Sequence, residues 1–157
     1  MSTVPTLARS YEALRPRVLE RVLELRATLD PSLARLDDAS ARAQIGAVLE
    51  HLSNFIATGD LALHRGFLHT FLAMRAAEAQ GPASGLAMLV AIGDTAAQVA
   101  QDEAATGDGA ELTRLLTRVT ASTARAMNDL IAEELGRRTA QRADLTQSLA
   151  RARGDGP

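Results

Sequence analysis

A chain of 157 residues without cysteine has the length of one domain, and it excludes disulfides, thiolate metal sites and cysteine nucleophiles. Its 17 basic and 19 acidic residues leave a formal net charge of −2, and they are scattered rather than gathered into the basic block that binds phosphate backbones. The expected setting is a reducing cytoplasm, with no nucleic-acid partner and no membrane span, because the apolar run "GLAMLVAIG" is too short to cross a bilayer.

Strong helix formers dominate and no segment alternates apolar and polar residues over strand length, so the sequence predicts an all-α fold. The first helix is expected over Thr6 to Leu29, with Leu7, Leu14, Val18, Val22 and Leu25 as its apolar stripe and a kink or break at Pro16. Asp30 and Pro31 then have the order of an N-cap and a first helical residue. A second long helix is expected over Ala39 to Ala57, ended by "TGD", which also caps the third.

The third helix is "DLALHRGFLHTFLAMRAAEA", Asp60 to Ala79, stopped at "QGP" by a left-handed Gly81 and by Pro82. The fourth, Ala83 to Ala105, is apolar over more than half its circumference, so it is predicted to be a central helix whose alanines and Gly93 admit close neighbours. Asp108 and Glu111 have capping-box spacing, and a last helix then runs from Gly109 to Ala150, weakened locally by Gly136. Beyond Leu135 its only large apolar residues are Leu145 and Leu149, so that part is expected to protrude or to pair with another chain.

The third helix carries two of the three histidines, His64 and His69. At about 100° per residue they lie about 140° apart, too far for a shared metal, which favours a separation of three or four residues. His64 falls near the middle of an apolar arc of Leu61, Leu63, Phe67, Leu68, Phe71, Leu72 and Met74, whereas His69 falls outside it. An inward imidazole needs a hydrogen-bond partner. The candidate ligand-binding residues are therefore His64, Phe67, Phe71 and Arg75, with Arg75 expected to snorkel from the helix end.

His51 in "VLEHLSNF" has no recognisable metal motif, and Tyr11 is expected to be a packing residue. Adjacent carboxylates such as Glu133 and Glu134 point apart on a helix. The paired ExxH of di-iron bundles, HExxH, a phosphate-cradling glycine loop and a nucleophile elbow are all missing from the sequence, so no catalytic or metal-binding residue is assigned.

"RGFLHTFLAMRA", followed by a small-residue helix and a long terminal helix, resembles the N-terminal sensory domains of RsbR-type stressosome proteins, the RsbT co-antagonists. The likeness rests on Phe67, Leu68, Thr70, Leu72 and Ala73 and on the helix order from Leu7 to Ala150. It implies a single globin-like bundle of about five to six helices with a long C-terminal helix, commonly without haem. The sensory domain would cover residues 1–136 and a helix extension or linker 137–157. By the same likeness the domain is non-enzymatic, forms a homodimer and relays a signal to a STAS-domain or kinase-type regulatory partner, with Leu130, Leu135, Leu145 and Leu149 as dimer or relay positions. The alternatives are a haem- or small-ligand-binding globin-like sensor using His64, and a helical-bundle enzyme whose groups converge only in the fold.

Overall fold

A computed structural model describes residues 3–103 and 108–154. Six helices follow in order: α1 (Val4–Leu29), α2 (Pro31–Ala34), α3 (Asp38–Thr58), α4 (Leu61–Ala77), α5 (Pro82–Asp102) and α6 (Gly109–Arg153), with no strand among the described residues. The all-α expectation and the long C-terminal helix hold. The expected end of the fourth helix at Ala105, and the last three residues of the expected 137–157 extension, lie outside the described residues.

Aspartates set most of the starts. Asp30 accepts from the Ser32 and Leu33 amides at 2.7 and 3.3 Å, Asp37 from Ser40 at 2.8 Å, and Asp60 from Ala62 and Leu63 at 2.9 and 3.0 Å. Each replaces a partner that the first helical turn cannot supply from its own backbone. Asp108 departs from this pattern. Its backbone is helical rather than extended (φ −86°, ψ −14°), and its side chain makes no capping bond to α6.

Two further expectations are corrected. Of the two outcomes expected at Pro16, a kink or a break, the break does not occur, because α1 runs unbroken through it. The proline faces outward, while Leu7, Tyr11, Val18 and Val22 are buried on the opposite side, and their packing outweighs the roughly 3 kcal/mol that an interior proline costs. At "QGP" the left-handed residue is Ala79 (φ 56°), not Gly81, which is extended at φ −70° and precedes α5. The Gln80 amide donates to the Arg75 carbonyl at 2.9 Å and the Ala79 amide to Ala76 at 3.0 Å, the paired bonds of a Schellman ending that places alanine where glycine is favoured.

The helix α5 is central, as its apolar arc requires. It buries Met88, Leu89, Ile92, Ala96 and Ala100 and packs most extensively on α6, with α1, α3 and α4 also against it. Its 21 residues are long and apolar enough to cross a membrane by length and composition, more than the short run "GLAMLVAIG" alone promised, and here they form the core helix. Gly93 lies against Thr120 of α6 so closely that any Cβ would collide with the threonine side chain. On the other side Tyr11, fully buried in α1, donates its hydroxyl to the Leu49 carbonyl of α3 at 3.1 Å, and burial pushes its phenol pKa up.

The 45 residues of α6 span about 67 Å at 1.5 Å per residue. The helix is buried on one side from Gly109 to Leu130; from 137 to 149 every residue is exposed, and it passes through Gly136 without interruption. Ala79→Gly should stabilise the fold by about 0.5–1 kcal/mol, because relief of left-handed strain exceeds the added chain entropy of glycine. Thermal unfolding should show a midpoint raised by about 2–3 °C; a lowered midpoint contradicts the strain.

Candidate functional site

Two histidines meet in the core, but they are not the pair that lies close in sequence. His64 is 2% exposed in the first turn of α4, and its Nδ1 lies 2.7 Å from Nε2 of His51 on α3. Its other nitrogen, Nε2, is 3.1 Å from the Thr123 hydroxyl of α6. One imidazole thus joins three helices. His69 is exposed, as its position outside the apolar arc requires.

All three phenylalanines of the chain surround this link. His51 stacks on Phe67 (centroids 3.8 Å, planes 7° apart) and His64 stacks on Phe55 (4.1 Å, 14°), so each helix supplies one histidine and one phenylalanine and the partners are exchanged between helices. Phe71 continues the row at 6.1 Å from Phe67. The aromatic faces exclude water, and the hydrogen bonds satisfy both nitrogens of the buried His64.

Two neutral tautomers satisfy the link. Thr95, Thr113, Thr117, Thr139 and Thr146 each donate to the carbonyl four residues back, whereas the Thr123 hydroxyl is directed to His64. Thr123 donating to Nε2 puts the His64 proton on Nδ1, donated to His51 Nε2; in the other tautomer His51 Nε2–H donates to Nδ1 and His64 Nε2–H donates to the Thr123 hydroxyl. Burial lowers the pKa of both imidazoles. For His51, burial and then the charge of His64 bring it to about 4; for His64, burial alone lowers it. The link is therefore neutral near pH 7.

Arg75 belongs to a second polar cluster, at the other end of α4. It is 1% exposed and does not snorkel outward. Its Nη2 donates to the Ser32 and Ser84 hydroxyls at 2.7 and 2.8 Å, and Nη1 lies 3.6 Å from the Glu78 carboxylate. Ser32 in turn bonds to buried Asp30, and Ser84 reaches Asp30 Oδ2 at 3.4 Å. The buried cation and anion are thus joined through two hydroxyls, while the buried Nε of Arg75 has no hydrogen-bond partner among the described residues.

The candidates His64, Phe67, Phe71 and Arg75 consequently share one side of α4 without enclosing a common ligand cavity. The void beside His64, lined by His51, Phe67, Leu89, Gly93, Thr120 and Thr123, holds about 10 Å³, room for one water at most. Haem does not fit here: ligand pockets of that class run to roughly 300–1,000 Å³, and both nitrogens of His64 are engaged. The sequence arc also placed Leu61, Leu63 and Met74 inward; they are 66%, 66% and 41% exposed, because α4 is buried only along His64, Leu68, Phe71 and Arg75. Among the described residues, no three histidine, cysteine or acidic side chains are grouped to hold a metal.

His51, Thr123, Asp30 and the two serines were not legible as partners. One signal was present: His51 precedes Phe55 by four residues and His64 precedes Phe67 by three, so each pair shares a helix face. The relay candidates are split between environments. Leu130 is buried in the head, whereas Leu135, Leu145 and Leu149 are 58%, 63% and 58% exposed. No family model, curated protein or solved structure matches the chain.

Thr123→Val removes the hydrogen-bond partner of a buried nitrogen and should cost about 1–3 kcal/mol in denaturant unfolding at pH 7.5; an unchanged midpoint contradicts the bond. Because both histidines have lowered pKa values, the unfolded chain binds protons first as pH falls below 6.5. Stability should be full above pH 6.5 and decline towards pH 4, by up to about 1.4 kcal/mol per pH unit for each proton. Glu20, Asp37 and Glu134 have carboxyl pKa values lowered by their hydrogen bonds, which moves them away from the interval above pH 5. In His51→Gln the slope between pH 6.5 and 5 should shrink, and a slope equal to that of the parent chain contradicts the assignment.

Proposed function

We propose that this chain is a non-enzymatic sensory or regulatory domain of the RsbR type, in which a globin-like helical head biases α6 and α6 carries that bias to a STAS-type or kinase regulatory partner. The observation that carries this reading is the division of α6: one end is bound into the core and the other is bare on every side. A helix exposed all round gains little from its own propensity, so its value lies in contact with something outside the head. The tight packing around His64 favours an interaction module over a catalyst, since an enzyme calls for an open pocket with converging polar groups.

The His51–His64–Thr123 link supplies the coupling. A displacement of α3 or α4 against the core changes the bonds that hold α6 at Thr123, and two helix packings of similar free energy would give two settings of the distal segment. Hydrogen exchange tests this. Thr123→Val should alter amide protection in residues 137–153 as well as around the substituted turn. Identical exchange across 137–153 in parent and variant removes the relay.

A further inference from the structure

The net charge of −2 conceals a division along the chain. Residues 1–136 hold twelve arginines against seventeen acids, whereas 137–153 hold five arginines against Asp144 alone. In the head, arginines are matched across helices: Arg26, Arg42 and Arg65 meet Asp38, Glu20 and Glu133. On distal α6 Arg137 and Arg138 share the carboxylate of Glu134 one turn back, and Arg142, Arg151 and Arg153 make no ion pair among the described residues. The bare segment is a basic arm on an acidic head.

Its arginines and leucines are not spread evenly around the helix. Leu135, Arg138, Arg142, Leu145, Leu149 and Arg153 follow at steps of three or four residues, and at about 100° per residue they fall within an arc of about 80°. All six are exposed. Asp144 lies about 140° from the middle of this stripe, on the opposite side together with Arg151. Apolar and basic groups therefore share one surface, and no acid of 137–153 stands on it.

We infer that this stripe docks a different protein, one whose contact surface sets carboxylates around a narrow apolar strip; an acidic amphipathic helix is its simplest form. Carboxylates pair with Arg142 and Arg153 while apolar side chains cover Leu145 and Leu149. The composition of the stripe decides among occupants. A second copy would gather six arginines along one seam, and the nearest carboxylate, Glu134, is already held by Arg137 and Arg138 of its own chain. Phosphate backbones would engage the arginines but offer nothing apolar to the two leucines. A bilayer takes up an apolar face set apart from the basic one, whereas here the two are interleaved.

This inference rests on the proposal that residues 137–153 serve in protein contact, but it fails separately from the relay. The probes are a synthetic helical peptide with leucines at heptad spacing flanked by glutamates, the same peptide with glutamine for glutamate, duplex DNA, and vesicles of equal parts phosphatidylglycerol and phosphatidylcholine. The full chain should bind the glutamate peptide at least tenfold more tightly than the glutamine peptide, and the difference should shrink with added salt. Arg142→Gln should weaken this binding at least fivefold, as should Leu145→Ala combined with Leu149→Ala, whereas Arg151→Gln on the opposite side should change it less than twofold. These side chains are exposed, so the unfolding midpoint should stay that of the parent chain. Absent binding, equal binding of the two peptides, or equal losses in Arg142→Gln and Arg151→Gln overturn the inference. Tighter binding to DNA or to the vesicles overturns it too, and assigns the arm to phosphate or to a lipid surface. Light scattering that gives twice the chain mass for the parent and the single mass for Leu149→Asp assigns the stripe to a second copy and likewise overturns it. If any of these occurs while Thr123→Val still alters exchange in 137–153, the relay survives with a partner of other chemistry.

Discussion

The arrangement depends on how closely α6 approaches α5 at Gly93. Because that residue has no side chain, Thr120 settles against the α5 backbone, and one turn later Thr123 stands 3.1 Å from His64. A bulkier residue at 93 would push α6 outward and open the void of about 10 Å³ between the same helices. The contact between two small surfaces therefore sets a polar bond on a third helix. Close-packed interiors transmit such constraints because they contain little empty space to absorb them.

Polar groups fix α4 more than apolar ones do. Its four buried residues are His64, Leu68, Phe71 and Arg75, and the two polar members stand at opposite ends. His64 binds α3 and α6; Arg75 is tied through Ser32 to α2 and through Ser84 to α5. Leucine and phenylalanine tolerate small slides along a greasy surface, whereas a directed hydrogen bond does not. Exchanging these polar residues for apolar ones of like size could leave total stability little changed while relaxing the position of α4.

Local chemistry was the legible part of the sequence. The caps at Asp30 and Asp60, the glycine after α3 and the breadth of the apolar arc on α5 depend on neighbours within a turn or two, and they appear where the sequence places them. Errors arose where a distant contact outweighed a local preference. Pro16 breaks helices by itself, yet the buried stripe on its far side holds α1 together. Ala79 takes the strained turn because Pro82 begins the next helix and Gly81 is needed in extended form before it. His51 looked inert because its partner lies thirteen residues away on another helix, and periodicity reports only which face a residue occupies.

The length of α6 has a mechanical meaning. From Thr123 to Arg153 the rigid rod extends about 45 Å, so a tilt of about 5° at the core end carries the tip about 4 Å. A change smaller than a bond length at the threonine is thus multiplied into a displacement comparable to a side chain. Any movement of the head, thermal or directed, is enlarged along the helix in the same proportion. Capturing the free end against a second body would damp that motion and leave only the concerted component.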